Sequence, residues 1–256
     1  MQLHQESNPL PAHQHGSGQF SRISFITQPT YLPWIGIFKA AQLVDTFILY
    51  DDVQFEKQSW QNRNRFLDSS RNLPVTLSVP VRKHNCETAI RDIEIAVPDF
   101  YEDHVRKLRA WYRRAPFLEP TLDVLLEVYT KRYARLAELT SALTMALARY
   151  LGIHSAFLFS HEFDIQGSKH TRPLAFARHL GNSMYLTQAG TRGYTDVEAF
   201  AAQGIKVIFL EFTHPVYQQM SAPFTPHLSI VDMLMNIGPQ ESSKVIENIQ
   251  LNSAEA

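Results

Sequence analysis

The chain has 256 residues, 45% of them hydrophobic and 11% aromatic, with a formal net charge of −1 at pH 7. This supplies ample core for one large domain or two small ones and excludes collagen-like and generally disordered classes. The near-neutral balance argues against bulk nucleic-acid binding, which needs a basic surface to release counterions. Cys86 is the single cysteine, so an intrachain disulfide and a thiolate zinc cluster are both ruled out, and a reducing, cytoplasmic setting is expected. There is no apolar run of signal-peptide type and none long enough to span a bilayer, so no membrane insertion is expected.

Residues 1–22 are rich in Gln, His, Pro and Gly and read as a flexible tail, in which His4, His13 and His15 carry no specific role. The apolar run Ile23 to Ile26 predicts a buried strand, ended by Gln28-Pro29. A helix is expected around Gly36 to Leu43, a strand over Thr46 to Tyr50, and then a polar stretch from Asp51 to Arg65. Leu73 to Val81 reads as a strand, and Ile90 to Val97 alternates like a half-exposed one. Phe100 to Tyr112 has helical spacing, and Thr121 to Tyr150 predicts one or two long helices closed by Gly152.

The second half alternates short strands (His154 to Ser160, Ser183 to Thr187, Ile205 to Phe212) with helices over Thr171 to Leu180 and Asp196 to Gln203. Glycines 181 and 204 close the two helices. A last helix spans Ser229 to Ile237, with Ser229 as N-cap and Asp232 completing a capping box. Beyond Gly238 the chain turns polar and is expected to fray, leaving 241–256 as a polar tail. The βαβ rhythm predicts one α/β domain over 23–240, a mainly parallel sheet with flanking helices, Rossmann-like or nucleotidyltransferase-like at its core, with a helical insertion near 101–150.

Four loops follow strand candidates and carry functional groups: Gln28 to Trp34, Asp51 to Arg65, Gln188 to Tyr194, and Thr213 to His227. In a parallel sheet, loops at the carboxyl ends of neighbouring strands can converge on one crevice. His214, placed after the strongest strand, is either a general base or a histidine satisfied by hydrogen bonds at the strand end. Asp51 and Asp52 are adjacent, so one of them is expected to reach the crevice, to bind an ammonium, orient a histidine or hold Mg²⁺; a salt bridge to Arg63 or Arg65 is the structural alternative. Arg63 and Arg65 fall on one extended face and suit phosphate or carboxylate, whereas Asn62 and Asn64 fall on the other. Trp60 reads as a stacking surface or as packing, and Gly190 and Gly193 would let backbone N–H groups approach a ligand. Cys86 has only His84 nearby to activate it.

QPTYLPWIGIF at 28–38, YDDVQFEKQSWQNRNR at 50–65, Pro80-Val81, HPVYQQ at 214–219 and FTPHLSIVDMLMNIG at 224–238 together resemble the WbqC-like family. The resemblance covers Ile23 to Gly238 and includes Gln28, Tyr31, Asp51, Asp52, Gln54, Trp60, Asn62, Arg63, Asn64, Arg65, His214, Tyr217, Gln218 and Asp232. It implies an acyltransferase moving glycine or a close relative from an activated donor onto an amine or hydroxyl, in surface-polysaccharide or natural-product biosynthesis. A carrier-protein thioester bearing phosphopantetheine is the implied donor, and an amino sugar, another small molecule or a carrier-bound amino acid the acceptor. No metal or cofactor of the protein's own is implied. A fainter, fold-level similarity to H-x-G-H nucleotidyltransferases lacks both histidines, since Trp34, Ile35, Gly36 and Ile37 stand there, and no P-loop is present. An ATP-dependent ligase or nucleotidyltransferase, and a non-catalytic module that binds a sugar nucleotide or carrier protein, are the alternatives.

Overall fold

The computed structural model describes residues 22–168 and 170–249; the expected N-terminal tail, apart from Arg22, lies outside them, as do the last residues of the C-terminal one. Five short apolar runs pair in parallel as the central sheet: β1 (Ile23–Thr27), β2 (Thr46–Leu49), β5 (Ala156–Phe159), β6 (Met184–Gln188) and β7 (Lys206–Leu210). Their spatial order is β5-β2-β1-β6-β7. From β1 the chain builds outward on one side through β2 and β5, then crosses back and builds through β6 and β7. Numbered within the sheet this is 3-2-1-4-5, the Rossmann-type doubly wound order without its sixth strand.

Because the sheet is covered on both faces, its strands alternate between two cores rather than between core and water. Phe25, Phe47, Leu49 and Leu186 point to the larger core, which α1 (Ile35–Leu43), α2 (Phe100–Trp111), α3 (Leu118–Tyr129), α4 (Leu136–Tyr150) and α7 (Ile230–Glu247) fill. Ile26, Ile48, Tyr185, Val207 and Phe209 point to the smaller one, under α5 (Arg172–His179) and α6 (Val197–Ala201). Glycines 152, 181 and 204 follow α4, α5 and α6 at φ +74, +64 and +70, the left-handed conformation that ends helices.

Three expectations are corrected. Arg63 to Arg65 belong not to a loop but to β3 (Arg63–Asp68), which forms an antiparallel hairpin with β4 (Leu73–Ser78), separate from the main sheet. Ile90 to Val97 is no strand: Ile90–Asp92 is a 3-10 turn, and Glu94 and Ile95 make only single bridges, to Arg135 and Val81. The polar segment after Gly238 does not fray at once, since the helix resumes and runs to Glu247 with Ser242 and Ile246 fully buried. Lys39, itself buried in α1, donates to the Glu247 carbonyl at 3.0 Å and ties down that end.

Gly238 makes the bend possible. It sits at φ +74, ψ +172, a region essentially closed to other residues, and a Cβ there would lie 2.7 Å from the Phe117 ring. Gly238→Ala should therefore cost about 1–3 kcal/mol in urea unfolding; an unchanged midpoint would show that the bend tolerates a side chain.

The larger core also buries a polar chain in which the Tyr31 hydroxyl meets both Tyr129 and, at 2.8 Å, Nδ1 of His104. Burial pushes the His104 pKa down to about 4, against an ordinary 6.5. In the unfolded chain the same imidazole takes a proton below pH 6.5, so stability falls as pH drops from there toward 4. The loss should be about 2 kcal/mol between pH 7 and 5 by linkage, and His104→Gln should flatten it in denaturation measured at both pH values.

Candidate active site

β1 and β6 are neighbours from which the chain builds in opposite directions, and the loops beyond their carboxyl ends leave a crevice between them. Two hollows of about 370 and 310 Å³ meet there. Thr27, Gln28, Glu56 and Gln188 line both and form a waist. Trp34, Trp60, Asn64, Arg65 and His227 complete the first lobe, while Tyr50, His170, Thr191 and Tyr194 belong to the second.

In the first lobe, β3 sets the guanidinium groups of Arg63 and Arg65 6.0 and 5.6 Å from the ring centre of the exposed Trp60. These are cation–π distances. Arg65 also donates through Nη2 to the His227 carbonyl at 3.1 Å, while Nη1 makes no hydrogen bond among the described residues. The guanidinium thus keeps donor capacity for a carboxylate or phosphate. On the other side the Trp34 ring stacks on Phe212 at 5.5 Å. Gly36 permits this placement, because a Cβ there would come within 2.4 Å of the indole.

His227 has φ +59, a strained conformation for a residue with a side chain. Its backbone is pinned at both ends: its N–H donates to Nε2 of His214 at 3.2 Å, and its carbonyl accepts from Arg65. No hydrogen bond engages its ring among the described residues; the ring lies 6.3 Å from that of Trp34, and both residues line the first lobe.

His214 is thereby explained differently from the general-base expectation. Its Nδ1 bonds the Pro215 carbonyl at 2.8 Å, Nε2 accepts from His227, and neither nitrogen is left for a substrate. Burial lowers its pKa despite the bond to Pro215, which keeps the ring neutral and Nε2 an acceptor. It borders a different hollow, with Thr213, Glu241 and Lys244. The sequence offered His214 as a general base in a shared crevice; it instead supports the backbone of His227, which lines that crevice.

Asp51 and Asp52 are likewise engaged. Both carboxylates reach the hydroxyl of buried Ser160, so the expectation that adjacent residues would diverge does not hold. Asp51 bonds Nδ1 of His161 at 2.6 Å, and Asp52 forms a two-pronged pair with Arg172 at 2.6 and 3.1 Å. Burial raises the Asp52 pKa, but the Arg172 and Ser160 bonds outweigh it and the net shift is downward. Neither pairs with Arg63 or Arg65. Arg172 lies 4.9 Å from the ring of Tyr50, so this cluster braces the wall of the second lobe.

Amide orientation at the waist follows from one buried residue. Gln61 accepts the Glu56 N–H through Oε1 at 3.0 Å and donates through Nε2 to Gln28 Oε1 at 2.9 Å. Gln28 Nε2 is left as a donor toward the crevice.

Other expected contacts are structural. Tyr31 is fully buried, and Asn64 donates to the carbonyls of Tyr31 and Leu32. Asn62 holds the Val79 carbonyl and Gln54 the Cys86 carbonyl. Gly190 and Gly193 are exposed with no positive φ, and neither lines the crevice. Gln218 is exposed and outside it, while Tyr217 gives its hydroxyl to Asp232 at 2.7 Å. Asp232 closes no capping box; Ser229 caps α7 alone, and the fully buried Asp232 carboxylate accepts from Tyr112, Tyr217 and Gln219.

The family model for the WbqC-like protein family matches residues 28–244. The chain belongs to the WbqC-like family. This WbqC-like protein is 30% identical over 217 residues to the uncharacterized protein Rv1507c of Mycobacterium tuberculosis, covering 84% of the present chain and 94% of the relative. No solved structure is significantly similar to it. Among its described residues no helix is long and apolar enough to cross a membrane.

Of the crevice residues in this WbqC-like chain, sequence reasoning named Gln28, Trp60, Asn64 and Arg65 and missed Glu56, Gln61, Gln188 and His227 as site residues. Glu56 and Gln61 stand inside YDDVQFEKQSWQNRNR and His227 inside FTPHLSIVDMLMNIG. Treating every polar residue of those motifs as a candidate was the available signal.

Proposed function

We propose that this WbqC-like protein is an acyltransferase that moves a glycine-like acyl unit from an activated donor to an amine or hydroxyl acceptor. The observation that carries this reading is a two-lobed crevice with unlike walls, one aromatic and cationic, the other rich in hydroxyls, joined at an amide-lined waist. Two substrates can approach from opposite lobes and react where these meet, which is the positioning that transfer requires. A carrier-protein thioester suits the first lobe: its phosphate would be held by Arg65 and its thin arm would run along Trp60 and Trp34. The acceptor would occupy the second lobe.

In the reaction, the His227 imidazole takes the proton of the attacking amine or hydroxyl as the new bond to the acyl carbon forms. Gln28 Nε2 donates to the thioester oxygen as it becomes negative. The intermediate then collapses, the C–S bond breaks, and the departing thiolate recovers the proton from the imidazolium. No side-chain nucleophile at the waist is activated by a neighbouring base, which favours direct transfer over a covalent acyl-enzyme.

The test is incubation with a glycyl-loaded carrier protein and candidate amine or hydroxyl acceptors, followed by intact mass. Unloading should be fast only when acceptor is present. Rates equal to the protein-free control would overturn the proposal.

A further inference from the structure

We propose that Glu56 is an ammonium anchor, whose carboxylate at the waist holds the free amino group of an aminoacyl donor and selects aminoacyl over simple acyl units. This rests on the acyl-transfer reading above and adds what that reading lacks, a source of donor specificity.

Four observations converge. Glu56 is the only carboxylate among the residues lining the two lobes, as Arg65 is the only guanidinium. Its backbone is fixed, with the N–H on Gln61 and the carbonyl accepting the Ser59 hydroxyl at 2.7 Å, yet its carboxylate has no ion-pair or hydrogen-bond partner among the described residues. Tyr194 and Trp60, 53% and 50% exposed, are the well-exposed members among the aromatics lining the second and the first lobe respectively, so a cation held at the waist would have π faces on offer in both lobes as well as a carboxylate. Tyr194 feels that charge: burial, and then the negative Glu56, raise its hydroxyl pKa.

The spacing of the ligand supplies a further argument. In a glycyl thioester one methylene separates the ammonium from the carbonyl, so whatever holds one group must lie beside whatever holds the other. The waist carries both the Glu56 carboxylate and the Gln28 amide, and Gln61 ties the Glu56 backbone N–H to the Gln28 side chain, which keeps the two residues together. Asp51 and Asp52, the carboxylates that sequence favoured for the ammonium, are held by His161, Ser160 and Arg172.

Two stable mimics of a donor arm test this: S-(2-aminoethyl)pantetheine 4′-phosphate and S-propylpantetheine 4′-phosphate, which differ by an ammonium in place of a methyl. By calorimetry the wild-type chain should bind the amino mimic about tenfold or more tightly than the propyl one, the usual worth of a charge-assisted bond. E56Q should erase most of that ratio and leave affinity for the propyl mimic unchanged. Equal affinities on the wild type, or a preference that survives E56Q, would overturn the anchor and leave the transfer reading standing. Loss of the propyl mimic as well in E56Q would make Glu56 a structural residue. Failure of both mimics to bind the wild type would overturn the donor-arm reading and the anchor together.

Discussion

His227→Asn should slow acyl transfer by roughly 100- to 1000-fold, the usual contribution of a positioned general base. Asparagine is chosen because it accepts the left-handed φ that His227 adopts, so the backbone bonds to His214 and Arg65 can persist. The loss should fall on kcat, with thermal stability and donor affinity close to wild type. His214→Ala should give a milder, mixed defect, because it releases the His227 backbone without removing the imidazole proposed as the base. If His227→Asn retains full activity while His214→Ala abolishes it, the assignment of base and support is reversed.

Asp232→Ala should be the most damaging substitution to the fold, at about 3–5 kcal/mol. Three donors converge on this carboxylate in a fully buried place: the Tyr112 hydroxyl at 2.8 Å, the Tyr217 hydroxyl at 2.7 Å and the Gln219 amide at 2.9 Å. Removing the acceptor strands all of them. Burial raises the Asp232 pKa and the three bonds only partly offset it, so this group favours folding most when protonated, and its contribution declines as pH rises through its raised pKa. Asp232→Asn, which keeps one oxygen acceptor and carries no charge, should cost much less and flatten that pH dependence. The measurement is urea unfolding of both variants, and a loss under about 1 kcal/mol for Asp232→Ala would show that the network does not hold the 213–227 segment.

The sheet was legible because its strands are short apolar runs, two of them (ISFIT and KVIFL) close to a proline or a glycine, and because the helices before β5, β6 and β7 each close on a glycine in a left-handed turn. The errors have physical reasons. Ile93 and Ile95 are buried at alternate positions, as strand residues are, but no strand lies alongside to pair with them. In RNRFLD the buried Phe66 and Leu67 are adjacent, so the hairpin strand lost its alternating signature. The second half of α7 buries little beyond Ser242 and Ile246, and its tie to Lys39 spans 208 residues.

At the site, local motifs revealed which segments carry chemistry but not which side chains remain free in the folded chain. Asp51 looked available until His161, 110 residues later, was found on it. His214 looked available until both its nitrogens were accounted for. Glu56 drew no attention in the sequence because an isolated glutamate in a polar run resembles ordinary surface; that its carboxylate has no hydrogen-bond or ion-pair partner among the described residues emerges only from three-dimensional neighbours.

The start of α7 is stitched into two other parts of the chain: the Ser229 N–H reaches the Arg65 carbonyl at 2.9 Å, and the Ile230 N–H reaches the Pro33 carbonyl at 2.8 Å. One jaw of the crevice, carrying Trp34, Arg65 and His227, is therefore an anvil whose parts cannot shift separately. Under the proposed transfer, any widening needed to admit a bulky acceptor falls to the opposite jaw, the short turns around Thr191 and Tyr194, so tolerance for differently shaped acceptors can evolve there without disturbing the groups proposed to perform it.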